Sequence, residues 1–333
     1  MNRSGQLKGR RRFLCAAMAV SGLAVLPFGA SIAAPQVESI HFLIPGGAGG
    51  GWDGTARGTG EALTKAGLVG KASYQNMSGG GGGKAIAHLI ETAKNAKSTL
   101  MVNSTPIIAR SLTGVFPQSF RDLTPVAGII ADYSAFVVRQ DSPLQDWKQA
   151  VALFRENPRK LKFAGGSAKG SLDHIVPAAA MKAEGLDPRK LVYIPYDAGG
   201  KAMAGLLSGE AKILSTGLGE ALDMAKAGQV RILAITAPES QSAAPGVKTL
   251  KEMGNDTVFA NWRGFFAAPG IDPQSVAQWN AVLKAMYETE AWEVVRNRNG
   301  WVDAYVPAED FGGFLDAQEQ QIGSLMRELG FLK

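Results

Sequence analysis

Residues 40–60, IHFLIPGGAGGGWDGTARGTG, decide the architecture. Ser39 to Ile44 is an apolar run of strand length. Pro45 ends it, and glycine then fills five of the six positions from 46 to 51. Trp52 and Asp53 follow, and Thr55 to Lys65 has the composition of a helix. The order is strand, glycine loop, helix N-terminus. Glycine lets the main chain take conformations closed to other residues and come close to a ligand. The unpaired N–H groups and the positive end of the helix dipole favour an anion there. The loop alone fits a tight strand-to-helix turn with no ligand equally well.

The same alternation continues outward. Lys71 to Gln75 reads as a second strand, followed by five consecutive glycines (Gly79 to Gly83) and a helix from Lys84 to Ala96. Leu100 to Asn103 reads as a third strand that ends in Ser104-Thr105-Pro106. Val126 to Ile130 and Ser134 to Arg139 read as two strands separated by Ala131-Asp132-Tyr133. A second series begins at Leu144 and runs through strands near 161–164, 192–194, 211–215 and 230–235, with helices between them. Strands alternating with helices predict a parallel α/β sheet, with ligands beyond the strand C-termini. Gly46-Gly47-x-x-x-Gly51 is echoed by Gly165-Gly166-x-x-x-Gly170, each with an aspartate shortly beyond (Asp53, Asp173). Two similar lobes facing each other account for that echo. The chain would cross between them near Tyr133 to Phe136 and near Leu233 to Pro238, giving 34–134 with 236–333 as one lobe and 135–235 as the other. Hinge closure on a ligand is the motion such lobes allow.

The N-terminus has a different job. Arg3, Lys8, Arg10, Arg11 and Arg12 precede an apolar stretch from Phe13 to Leu26, and Ser31-Ile32-Ala33 offers small residues for cleavage. That is an export signal, too short for a membrane span, with cleavage expected near Ala33 or Ala34. Arg10-Arg11-Arg12-Phe13-Leu14 fits the twin-arginine pattern. These five basic residues account for most of the formal charge of +6, so the exported remainder is close to neutral. A nucleic-acid footprint needs a clustered basic face, and none is left. The single cysteine, Cys15, leaves with the signal, which excludes disulfides and thiol chemistry afterwards. The expected place of work is the periplasm, as a monomer.

Enzyme signatures fall short. Gly49-Gly50-Gly51-Trp52-Asp53-Gly54 satisfies G-x-G-x-x-G, but Tyr74-Gln75-Asn76 supplies no acid for a ribose hydroxyl. Ser78 and Ala85 break a phosphate-loop match, and Lys169 breaks G-x-S-x-G at Gly165 to Lys169. His41, His88 and His174 lack metal-ligand spacing, so no metal or cofactor is expected. Asp53 fits a helix cap. What remains is a set of neutral donors: loop amides with Asn103, Ser104, Thr105, Ser167, Ser171, Tyr196 and Thr216. It suits an organic anion and has no nucleophile–base pair.

The succession FLIPGGAGGGWD, QNMSGGGGG, PVAGI, FAGGSAKGSLDH, VYIPYDAGGKAMAGLLSGEA, GQVRILAIT and NWRGFFAAPG resembles the periplasmic solute-binding receptors of tripartite tricarboxylate transporters, the Bug-type receptors. It runs through the whole exported chain in order. The resemblance implies a two-lobed α/β fold of the periplasmic-binding-protein type (type II), with two parallel-type sheets, a two-strand hinge and a ligand cleft between the lobes. It implies capture of a small tricarboxylate or dicarboxylate, citrate for example, for a large and a small membrane permease subunit. Carried over, it assigns the ligand to Ala48, Gly49, Gly50 and Asp53 of the first loop, beside Trp52. It places Ser167, Gly170, Ser171, Tyr196, Asp197, Gly199, Thr216 and Gly217 opposite, and the neutral donors Ser104 and Thr105 at the third strand join them from the reading above. The unbroken glycine run at 79–83 and Ala96 to Thr99 depart from the family pattern, so the ligand itself does not carry over. A sensor that presents a bound carboxylate to a membrane receptor, or an exported enzyme acting on one, are the competing readings.

Overall fold

The computed structural model describes residues 37–333. The targeting segment expected at 1–33 and its cleavage site lie outside the described residues. The first series is β1 (Val37–Ile44), α1 (Gly51–Lys65), β2 (Val69–Asn76), α2 (Gly83–Glu91), β3 (Thr99–Ser104), α3 (Thr105–Leu112) and β4 (Thr124–Arg139). The second is α4 (Trp147–Glu156), β5 (Lys162–Gly165), α5 (Leu172–Ala183), β6 (Val192–Pro195), α6 (Gly199–Leu207), β7 (Ile213–Gly217), α7 (Leu218–Lys226) and β8 (Val230–Ile235). The chain closes with β9 (Ala260–Ala267), α8 (Pro273–Tyr287), α9 (Glu290–Asn299), β10 (Val302–Val306) and α10 (Ala308–Glu328).

The fold is two-lobed α/β. One sheet runs β2-β1-β3-β9-β4, and the second continues β4-β7-β5-β6; β10 and β8 also pair with β4. The sheets are mixed, which corrects the expectation of parallel-type sheets. β1 pairs in parallel with β2 and β3, and β5 with β6 and β7. β9 is antiparallel to β3 and β4, and β4 is antiparallel to β7, β8 and β10. An alternating pattern of strands and helices locates strands but carries no direction for those that arrive by a long connection.

β4 is a second correction. The two strands expected around Ala131-Asp132-Tyr133 are one strand of 16 residues. Thr124 to Tyr133 pair with β9, and Ser134 to Arg139 pair with β7 and β8. Asp132 looks like a break in an apolar run, yet it is buried and ion-paired to Arg263 on the neighbouring strand. A partner in the sheet removes the reason for the chain to turn outward.

Apolar faces hold the layers together. On β1, Phe42 and Ile44 pack into one cluster with Leu63, Val102, Phe265 and Trp292, while Leu43 points to the opposite cluster with Met101, Phe266 and Phe311. The strand is buried on both faces, which is why it reads as continuous hydrophobicity. Phe136, Trp147, Phe154 and Phe163 form the matching cluster under the second sheet. Each such side chain contributes roughly 1.5–3 kcal/mol on burial. Residues 237–258 do not leave the second sheet at once: Ala237 and Ala244 pack on one of its faces and Leu250 on the other. Thr236 ties the crossing, accepting from the Ser134 amide at 2.9 Å and donating to the Phe259 carbonyl at 2.6 Å.

Candidate functional site

Where strands end and helices begin, the lobes enclose a cavity of about 320 Å³. Six helix N-termini meet it: α1 at Gly50 and Gly51, α2 at Gly82, α3 at Ser104, α5 at Ser171, α6 at Ala198 and Gly199, and α7 at Gly217. None of these six has a side-chain cap from its N-cap residue, although Asp132 accepts from the start of α7. Away from the cavity, α4, α8 and α9 are capped by Asp146, Asp272 and Thr289, while α10 follows Pro307 without a side-chain cap. Helix starts normally satisfy their orphan N–H groups with such side chains. Here the first turns, that of α7 excepted, have no such side chain and face the cleft. Converging uncapped N-termini favour negative charge.

The first loop is shaped by Asp53, which stands behind the cavity wall. Its carboxylate accepts from the Gly49 amide at 3.0 Å, from Arg57 Nε at 2.9 Å and from Asn76 Nδ2 at 3.0 Å. Burial works to raise its pKa, and these partners together hold it below the usual carboxylate value. Gly49, at φ +74°, therefore gives its N–H to Asp53. Trp52 faces the cavity and donates to Ser104 Oγ at 2.9 Å, fixing α1 to the end of β3.

On the second lobe Ser167 Oγ donates to Asp173 at 2.8 Å, and the Tyr193 hydroxyl donates to the Ser167 carbonyl at 2.5 Å. Gly170, at φ +75°, gives its amide to His174 Nδ1 at 3.0 Å. Burial pushes His174 down to about 4. The loops of the two lobes touch. A Cβ on Gly47 would lie 2.8 Å from that of Ala198, and one on Gly50 would lie 3.5 Å from the Gly199 nitrogen. Within the second lobe, a Cβ on Gly166 would lie 2.4 Å from that nitrogen. Only bare backbone lets three loops meet so closely.

Charged side chains complete the site. Arg263 lies in the cavity wall and is paired with Asp132 at 2.9 Å, with Thr55 Oγ1 accepting at 3.2 Å. Glu220 reaches from α7 to within 3.9 Å of Arg263 and accepts from Thr216 Oγ1. Burial pushes Glu220 up to about 7 and Asp173 up to about 6, with Arg263 opposing in both cases. Asp132 also accepts from the Gly219 amide at the start of α7. Arg110, on α3, faces the cavity and has no described residue as a hydrogen-bond acceptor or ion-pair partner.

Of the residues singled out from sequence, Gly50, Trp52, Ser104, Ser167, Ser171, Tyr196, Asp197, Gly199 and Gly217 line the cavity. Ala48, Gly49, Asp53, Thr105, Gly170 and Thr216 do not line it. Asp53 and Thr216 instead hold residues that shape or line it, Gly49 and Glu220 respectively. Arg110, Asp173, Glu220, Asn261 and Arg263 went unassigned. For Arg263 a signal was present: a charge in the middle of the apolar strand Trp262-Arg263-Gly264-Phe265-Phe266. Among the described residues, no three His, Asp or Glu side chains are grouped to hold a metal ion.

Residues 61–331 match the family model of the tripartite tricarboxylate transporter family receptor. The chain belongs to this family. The receptor is 26% identical over 298 residues to the protein of the tcbD–tcbE intergenic region of Pseudomonas sp., covering 86% of this chain and 85% of that one. Its fold matches the periplasmic binding protein BugD with a TM-score of 0.79 at 20% identity, over 89% of this chain and 99% of BugD. MatC from Rhodopseudomonas palustris with bound malate matches at TM-score 0.75 and 19% identity, over 87% and 99% of the two chains. A second R. palustris protein, with adipate, matches at 0.78 and 20%, over 88% and 98%. The receptor is a solute-binding protein, not an enzyme. No helix among its described residues is long and apolar enough to cross a membrane.

Proposed function

We propose that the receptor is exported to the periplasm, closes on a small organic carboxylate and passes it to the large and small permease subunits of a tripartite transporter. The observation that carries this reading is the convergence on one cavity of six helix N-termini that lack an N-cap side chain. The malate and adipate bound to the R. palustris proteins support small acids as the class. Citrate belongs to the same screen, and the ligand-holding groups are the cavity-lining residues named from sequence. We take 34–134 as part of the first lobe and 135–235 as the second, because β4 changes partners between Tyr133 and Ser134. The packing of residues 237–258 supports a return crossing at Phe259 instead of Thr236.

A thermal-shift screen of organic acids tests the reading, since a ligand that binds only the native state raises its melting temperature. One or more small carboxylates should raise it in a dose-dependent way and be recovered unchanged. A screen in which no carboxylate moves the transition overturns the reading.

A further inference from the structure

Arg110 sits in the last turn of α3, 3% exposed, with its guanidinium turned to the cavity. Its Nε has no partner, and no carboxylate lies within ion-pair distance among the described residues. The other guanidinium of the cavity wall, Arg263, is held by Asp132. The groups facing Arg110 across the cleft are also committed, Asp173 to Ser167 Oγ and the Tyr193 hydroxyl to the Ser167 carbonyl. A buried charge without a partner is among the costliest features a fold carries. The surrounding backbone is arranged to keep the site clear. Gly81, at φ +65°, lies over Arg110, and a Cβ there would come within 3.2 Å of Nε. This gives the unbroken run from Gly79 to Gly83 a local purpose. Ser171 Oγ, fully buried and also on the cavity wall, is a second group with no partner.

We propose that Arg110 is a specificity-determining residue: it holds a second acidic group of the ligand, so that the receptor selects diacids over acids with one carboxylate. This rests on the carboxylate reading and adds to it an uncommitted cationic anchor beside the helix amides. A planar guanidinium suits a carboxylate through two parallel hydrogen bonds. Helix amides would hold the first acidic group wherever it enters, without regard to a second. Discrimination therefore falls to the one uncommitted cation among the described groups of the cleft.

The test is calorimetric titration of the full exported chain, as wild type, Arg110→Gln and Arg110→Lys, with malate, adipate, butyrate and hexanoate. Wild type should bind at least one diacid far more tightly than its one-acid counterpart. Arg110→Gln should weaken that diacid about 100-fold and leave the one-acid ligand within about twofold. Arg110→Lys keeps the charge and should recover part of the lost affinity. The melting temperature of unliganded Arg110→Gln should not fall, because the substitution removes an unpaired buried charge. If Arg110→Gln does not fold, Arg110→Lys alone decides: a diacid affinity equal to wild type overturns the proposal. Undiminished diacid preference in Arg110→Gln likewise overturns it and leaves carboxylate capture standing. Absence of binding by wild type to all four acids, when the wider screen does find a one-acid ligand, would overturn the diacid proposal and leave carboxylate capture standing.

Discussion

His174 does on one side of the cleft what Asp53 does on the other. Each accepts the amide of a glycine four residues earlier at 3.0 Å, and each of those glycines, Gly170 and Gly49, stands at a φ near +75° just before the N-cap. The sequence echo pairs Asp53 with Asp173, but the structural counterpart is the neighbouring histidine. To accept from an amide, the Nδ1 of His174 must carry no proton, which agrees with a pKa held down near 4 by burial.

That pairing sets an acid limit on stability. The unfolded histidine takes up its proton near its ordinary value of 6.5, the folded one only near 4. Stability is thus complete above about 6.5, falls as the pH drops toward 4, and levels off below it. His174→Asn keeps an acceptor without the titration. Between pH 7 and 4, denaturant unfolding should show wild type losing roughly 2–3 kcal/mol more than the variant. Asp173, with its pKa raised to about 6, works with the opposite sign, and comparing the two proteins cancels it.

Asp53→Ala strips acceptors from the Gly49 amide, Arg57 and Asn76 together. We expect a loss of about 1–3 kcal/mol with the fold intact, since one buried donor loses its partner. Ligand affinity should fall about tenfold, because the loop before α1 loses its fixed shape. Ser167→Ala, which frees Asp173, should weaken binding in the same assay. Unchanged affinity in both, by titration, would remove these loops from the site.

Asp132→Ala should be far more damaging. It leaves Arg263 buried without its 2.9 Å partner and uncovers the start of α7. Breaking a buried pair from one side costs about 3–5 kcal/mol. Thermal unfolding should show a correspondingly large fall in Tm, in contrast to Arg110→Gln, where no pair is broken.

Glu220 couples binding to protons. It faces the cavity with its pKa raised to about 7 by burial. Above that pH it is ionised and repels an incoming anion; below it the repulsion is gone. Affinity for a carboxylate should rise as the pH falls from 8 to 6, with proton uptake visible when titrations are run in buffers of different ionisation heat. Glu220→Gln should flatten that slope.

Gly47→Ala tests whether the loops must meet. The new methyl would lie 2.8 Å from the Ala198 side chain on the facing lobe. Ligand affinity should fall at least about tenfold from this overpacking, while the melting temperature of the unliganded protein changes little. Small-angle scattering with saturating ligand should then show a more open shape than wild type.

The glycine loops were legible because glycine in such numbers between a strand and a helix has a conformational cause, borne out at Gly49 and Gly170. The charged wall was not. Ser104-Thr105-Pro106 read as the end of a strand, and β3 does end at Ser104; the reading missed that α3 starts there, with Ser104 as N-cap and Pro106 in the first turn. Without that helix Arg110 had no position. Asp132 read as an interruption because its partner lies 131 residues away on β9. Local pattern shows where a charge breaks an apolar run; only the folded sheet shows what neutralises it.

The continuity of β4 governs how the molecule can move. Its 16 residues are main chain to both sheets, so the halves share a spine as two covers share a binding. They can swing apart only by bending that strand near Tyr133 together with the return crossing between Thr236 and Phe259.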